Sequence, residues 1–318
     1  MKFKCNCCDG IYNSFDVHFT SACDNKCKHC IDAIYEGKNI VKPNAKAIAK
    51  TIINNSEGYD DVLFLGGEPC LFLEELYECI VSIKESTSLK CYITSSMPKT
   101  CKDKYELFLK ILDLVDGFNI SAQHYDECIA DKIRNTESKY DRQEFYAGLP
   151  HKEKIRINLN IVKPYLYTKE DILNTLKHYD DLGFPEIKLS EIQHGEDYFV
   201  SFEKTMGIKL KSPFTYGCQT WVDMKPFIPS FKGKLLLKRS CFMCEETLKA
   251  TLTDGLKVAY KYFCRPKGGH YAVVYEDGSL SNGYDLVQAM VDEWSADHGG
   301  TLASYQCSST VYDDIFTS

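Results

Sequence analysis

The 318-residue chain lacks any run approaching the roughly 18 uninterrupted apolar residues of a membrane-crossing helix. Its first residues, MKFKCNCCDGIYNSFD, lack the apolar stretch of a secretory signal. Both absences point to a cytoplasmic protein with no membrane partner. Positive charge is in short supply: 38 Lys and Arg against 45 Asp and Glu leave a net charge of −7. Non-specific nucleic-acid binding depends on neutralising phosphates, so a nucleic-acid partner is not expected. The balance leaves room for a nucleotide or a locally basic groove. There is no low-complexity tract and no internal repeat beyond a β/α alternation. With 44% apolar and 26% charged residues, the chain is not disordered, collagen-like or a coiled coil. Its length suits one large domain, or one domain with a smaller appendage.

Cysteine is abundant, with 16 residues. A reducing compartment disfavours disulfides, so clustered thiols there read first as metal ligands or redox groups. The pattern around them is regular. Strands are expected at 15–20 (half-buried, from its alternation), 62–65, 91–94, 118–121, 155–162 and 186–192. Helices are expected at 43–55 with Pro43 near its start, and at 71–85, 105–115 and 125–134. A last helix is expected from the Thr168 cap to about 182, with Asp171 at the capping-box position and Gly183 as the stop. Six strands alternating with helices imply parallel strands joined by right-handed crossovers. A partial (β/α)6 TIM-like barrel and an open parallel sheet both fit, and either gathers chemistry at the carboxyl ends of its strands. Past about 195 the pattern gives way to a Pro- and Cys-rich stretch, with a hairpin at 271–284 turning at Asp277-Gly278 and a helix over 284–297. The expected division is therefore a tail at 1–14, an α/β barrel at 15–195 and a smaller cysteine-rich C-terminal domain at 196–318.

Directly after the first strand comes Cys23-Asp-Asn-Lys-Cys27-Lys-His-Cys30. Three thiolates can hold three irons of a [4Fe–4S] cube, leaving the fourth iron open, as catalytic metal sites require. The competing reading is zinc, completed by His29 or a distant cysteine. After the second strand, Gly66-Gly67-Glu68-Pro69 offers a backbone that can approach a ligand closely and a carboxylate that can accept from an ammonium. Alone it reads as a turn. Asn158 and Asn160 alternate along strand five and must share a face. Adenine, substrate or neighbouring backbone would satisfy them.

Together these motifs resemble the radical S-adenosylmethionine (SAM) superfamily, marked by Cys-x-x-x-Cys-x-x-Cys after strand one and GGEP after strand two. The resemblance covers residues 15–195. It implies an enzyme in which the open iron chelates the amine and carboxylate of SAM. An external one-electron donor, flavodoxin- or ferredoxin-like, reduces the cluster, and the resulting 5′-deoxyadenosyl radical abstracts hydrogen from substrate. It also implies that Gly66, Gly67, Glu68 and Pro69 grip the SAM amino group. His29 stands where relatives often have an aromatic residue, and its imidazole would lie against adenine. Thr94-Ser95-Ser96 stands where relatives often carry Thr-Asn-Gly, and the glycine is absent. Ser121 and Gln123 fall where relatives contact the ribose or carboxylate. Arg134 would pair with the carboxylate or remain a solvated helix charge. Glu191, Gln193 and His194 would face substrate or form a polar loop.

Cys218, Cys241, Cys244 and Cys264 form a second set. Cys241-Phe-Met-Cys244 has the local geometry for two bonds to one metal. An auxiliary [4Fe–4S] cluster, zinc or unligated thiols all fit, and the spacing matches neither SPASM nor twitch extensions. Cys218 is also a candidate hydrogen donor, with Cys70 a second. Cys5, Cys7 and Cys8 would supply a ligand or lie in a mobile tail, and Cys79, Cys91, Cys101 and Cys128 read as core or boundary residues. The extension suggests a ribosomally made peptide as substrate, modified by epimerisation or cross-linking, although no winged-helix leader-binding module opens the chain. The alternatives are a small metabolite such as a nucleotide or sugar, enclosed by 305–318, and a non-catalytic zinc scaffold.

Overall fold

A computed structural model describes residues 13–27, 29–30, 42–136, 140–192, 200–210, 219–238 and 271–281. Six strands run in chain order: β1 Ser14–Thr20, β2 Asp61–Gly66, β3 Lys90–Ser95, β4 Gly117–Ser121, β5 Ile155–Ile161 and β6 Glu186–Glu191. Each pairs in parallel with the next. The crossovers carry helices α1 Ala45–Asn54, α2 Leu73–Ser86, α3 Lys99–Asp103, α4 Tyr105–Leu114, α5 Glu127–Arg134, α6 Arg142–Ala147 and α7 Lys169–Asp181. This is the partial-barrel arrangement, one of the two that the alternation allows.

Alternation along each strand separates two faces. On β5, Ile155, Ile157, Leu159 and Ile161 are buried, while Arg156, Asn158 and Asn160 are partly accessible. The aliphatic set joins one core with Phe15, Val17 and Phe19 of β1, Phe64 of β2, and Ile48 and Ile52 of α1. The other face is polar and lines the barrel interior. Strand β1 departs from expectation, since all seven of its residues are buried. Its polar residues are covered because another strand closes its free edge.

That strand, β9 Tyr271–Tyr275, pairs in parallel with β1 and turns through Gly278 into β10 Leu280–Ser281, forming the expected hairpin. The turn seats on α1, where Thr51 donates to the Gly278 carbonyl at 2.7 Å. At the other end of the sheet, β8 Lys234–Lys238 pairs in parallel with β6 and antiparallel with β7 Gln219–Val222. The order is β10-β9-β1-β2-β3-β4-β5-β6-β8-β7. The six strands read from sequence thus become part of a ten-stranded sheet, and segments beyond residue 195 extend both of its ends.

Helix boundaries follow local chemistry. Asn44, just after Pro43, caps α1, accepting from the Ala47 N–H. A 3-10 turn over Pro69–Phe72 delays α2 until Leu73. Thr168 caps α7, and Gly183 follows it at φ +86°. Short helices α3, α6 and α8 Phe202–Met206 carry too little periodicity to be foreseen. Cys79, Cys91 and Cys101 are buried, whereas Cys128 is exposed. Among the described residues no helix is long and apolar enough to cross a membrane.

Candidate active site

The carboxyl ends of the strands open on one cavity of about 330 Å³. Cys23, Cys27, His29 and Cys30 line it from the loop after β1, and Gly66, Gly67 and Glu68 from the end of β2. Thr94, Ser95 and Ser96 line it from β3, Ser121 and Gln123 from β4, and Arg134 from the end of α5. Asn158 and Asn160 contribute from β5, and Lys188, Ser190, Glu191 and Ile192 from β6. Lys238 of β8 completes the lining.

The two glycines serve the chain's own backbone. A Cβ at Gly67 would stand 2.2 Å from the Ala22 carbonyl oxygen, and one at Gly66 2.7 Å from that of Thr20. In the space so freed, the Gly67 N–H donates to Thr20 and the Glu68 N–H to Ala22, each at 2.7 Å. The turn after β2 is thereby sewn to the residues that lead into Cys23. The close approach that the motif requires is thus to protein backbone.

Glu68 is buried and its carboxylate is saturated. One oxygen accepts from the Cys70 N–H at 3.0 Å and the Ser95 hydroxyl at 2.7 Å. The other accepts from the Ser96 N–H at 2.6 Å and the Ser96 hydroxyl at 2.7 Å. Four donors fill the lone-pair positions of a carboxylate, so Glu68 ties β2 to β3. Burial raises its pKa, against the hydrogen bonds from Ser96 and Ser95. Pro69 and Cys70 are buried behind it and do not line the cavity. The Cys70 thiol is therefore not placed in the cavity to give hydrogen to a ligand there.

Arg134 is buried and is no solvated helix charge. It donates to Glu127 at 2.7 Å, Asp131 at 3.3 Å and the Ala122 carbonyl at 2.8 Å. Its own carbonyl accepts from Lys26 at 2.9 Å, so α5 holds the cysteine loop directly. Burial pushes the Cys27 thiol up to about 11, and the Arg134 charge pulls it back. Arg142 of α6, a residue sequence reading missed, completes the clamp. It donates to the Ser96 and Met97 carbonyls, each at 3.2 Å, and to Glu127 at 3.1 Å, and stands 3.9 Å from Asp24 in the cysteine loop. Asn25 adds a bond to Ser96 at 2.8 Å.

Gln123 has φ +72°, and the His124 N–H closes a three-residue turn about it to Ala122 at 3.0 Å. A left-handed non-glycine residue persists where surroundings over-determine it. Here the Tyr179 hydroxyl holds the His124 carbonyl at 2.9 Å. Asn160 contacts His29 and Gln123, both at 3.5 Å. Glu191 lines the cavity, and one of its oxygens accepts from the Phe202 N–H at 2.8 Å. Gln193, His194, Cys5, Cys7, Cys8, Cys218, Cys241, Cys244, Cys264, 284–297 and 305–318 lie outside the described residues.

A sequence profile described as Radical SAM superfamily matches residues 17–192, more than half of the chain. The chain belongs to the radical SAM superfamily. It is therefore an enzyme, and membership implies a [4Fe–4S] cluster and SAM. No curated protein matches it. Among solved structures, SuiB of Streptococcus suis bound to precursor peptide SuiA is similar at 16% identity and a TM-score of 0.52, over 86% of this chain and 59% of that one. AnSMEcpe with bound AdoMet is similar at 14% identity and TM-score 0.47, over 86% and 74%. Methylornithine synthase PylB is similar at 16% identity and TM-score 0.44, over 60% and 56%. The chain thus spans less than two thirds of the SuiB and PylB chains.

The cavity suits the family's two groups. Three soft thiol donors reach it from one loop. Among the described residues no three His, Cys, Asp or Glu are grouped as ligands of a single metal ion. A four-iron cube makes a different demand, since each thiolate takes its own iron. Arg134 Nε and Asn158 Oδ1 are buried without partners in residues that line the cavity. Buried polar atoms are satisfied in folded proteins, and the amine, carboxylate, ribose and adenine of SAM offer both donors and acceptors.

Proposed function

We propose that this radical SAM enzyme modifies a ribosomally made peptide, by epimerisation or cross-linking. Cys23, Cys27 and Cys30 hold the [4Fe–4S] cluster. The chemistry supplied by the bound groups is one-electron cleavage of the SAM sulfonium and hydrogen abstraction from substrate. The backbone of the Gly66-Gly67 turn receives the SAM ammonium, because the Glu68 carboxylate is committed to Ser95 and Ser96. Arg134 directs its remaining Nε, with Ser121, toward the SAM carboxylate. Gln123 and Asn160, with His29, bind the ribose and adenine. An external one-electron protein donor reduces the cluster.

One observation carries this reading: the cysteine loop, the GGEP turn and the inward ends of β3 to β6 share one cavity. The peptide assignment is supported by the cysteine-rich extension, and the likeness to peptide-bound SuiB, over 86% of the chain, is in keeping with it. Cys218, Cys241, Cys244 and Cys264 form an auxiliary iron–sulfur site. The test is anaerobic reconstitution followed by reduction with SAM and peptide fractions from the source cells, run in D2O. Epimerisation adds a deuterium to a peptide, and cross-linking removes a pair of hydrogens. Turnover of a metabolite with no change in any peptide overturns the peptide assignment. Cys241→Ala and Cys244→Ala lower iron per chain, and constant iron overturns the auxiliary site.

A further inference from the structure

We infer that Glu276 is a positioning residue for the cluster, a clasp that fixes both ends of the loop carrying Cys23, Cys27 and Cys30. The inference rests on the reading above, in which those thiolates hold the [4Fe–4S] group. Glu276 lies outside the 17–192 span of the family match, in the turn that joins β9 to β10. One of its carboxylate oxygens accepts from the Ser21 hydroxyl at 2.9 Å, and the other stands 3.3 Å from Nδ1 of buried His18. Its carbonyl accepts from the N–H of Asn44, the cap of α1, at 2.8 Å. Ser21 and Asn44 bracket the connection between β1 and α1, and all three cysteines lie between them.

The hold at Ser21 complements that of the GGEP turn. The Thr20 and Ala22 carbonyls accept from the Gly67 and Glu68 N–H groups, which ties the backbone on either side of Ser21 to the end of β2. The Ser21 side chain is tied the other way, because β1 lies between β2 and β9. The residues that lead into Cys23 are therefore gripped from both neighbours. The hairpin that presents Glu276 is itself anchored. Thr51 of α1 holds the Gly278 carbonyl at 2.7 Å, and a Cβ at Gly278 would stand 2.7 Å from Ala47. Bonds to a carboxylate that is only 17% exposed are stronger than bonds between neutral groups. A loop fixed at both ends has less freedom left to lose when it orders around its ligand. Nothing in the sequence announced the clasp, because 255 positions separate Glu276 from Ser21.

The experiment uses the full-length reconstituted enzyme and two readouts. One is the rate at which a chelator removes iron in the phase that SAM slows, and the other is the electron paramagnetic resonance line shape of the reduced cluster with SAM. Ser21→Ala and Glu276→Ala each speed that phase about tenfold, the worth of one hydrogen bond to a charged group, and change the line shape. The double variant is within about twofold of either single one, because both remove the same bond. Glu276→Gln keeps an acceptor for Ser21 and stays within about threefold of the parent. Thr51→Val loosens the same hairpin at its other anchor without touching Ser21, and leaves both readouts at their parent values. Unchanged rates in both alanine variants, additive effects in the double variant, or the same effect from Thr51→Val overturns the clasp. Failure of the parent enzyme to hold a cluster that responds to SAM is a different result and counts against the proposed function instead.

Discussion

At one side of the cavity Glu68, Arg134 and Arg142 are tied tightly to other parts of the protein, whereas on β5 the amides of Asn158 and Asn160 are tied loosely. Glu68 takes four hydrogen bonds of 2.6–3.0 Å. Arg134 and Arg142 share Glu127 and between them hold the cysteine loop and the end of β3. On the other side, the contacts of Asn160 sit at 3.5 Å, the outer limit of a hydrogen bond. Asn158 Oδ1 has no partner. The difference teaches where rigidity is needed. Groups that hold reactive cofactors must be fixed before they arrive, because preorganisation keeps reorganisation out of the reaction barrier. The loosely held amides of β5 keep polar atoms for whatever enters the cavity.

The largest effect is expected at the thiolates. Cys27→Ala should abolish 5′-deoxyadenosine formation and lower iron per chain, by product chromatography and iron assay; unchanged product would end the assignment. Next comes the clamp. Arg142→Ala leaves Glu127 and Asp131 short of a buried partner and should cost about 4 kcal/mol in denaturant unfolding. Gly67→Ala drives a Cβ into the Ala22 carbonyl and should cost about 3 kcal/mol. Asn158→Ala, on the loose side, should change stability by no more than about 0.5 kcal/mol. A cost equal to that of Arg142→Ala would erase the contrast between the two sides.

The smallest effect concerns pH. Burial holds the His124 pKa below its ordinary value of 6.5, and its Nδ1 accepts from the Asp126 N–H at 2.9 Å. The unfolded chain therefore takes up this proton first. Stability associated with neutral His124 is present above pH 6.5 and is lost as pH falls below that value. His124→Asn should flatten this slope in unfolding midpoints measured across the acid range. An unchanged slope would show that His124 does not steer the turn that presents Gln123.

Sequence determined the parts whose signal is local. Alternation fixed the six parallel strands, and the spacing of Cys23, Cys27 and Cys30 followed by Gly66–Pro69 marked which end of them does chemistry. Asn158 and Asn160 share a face because a strand has a period of two. Tertiary structure alone decided the partners. Glu68 turned toward Ser95 and Ser96 because β2 and β3 pair in parallel beneath it. Arg142 became a clamp because α6 packs back across the cysteine loop, and Lys238 entered the cavity because a strand 48 positions after Ser190 joined β6 edge to edge. Such contacts carry no period, since closing a long loop leaves no pattern in the residues between its ends.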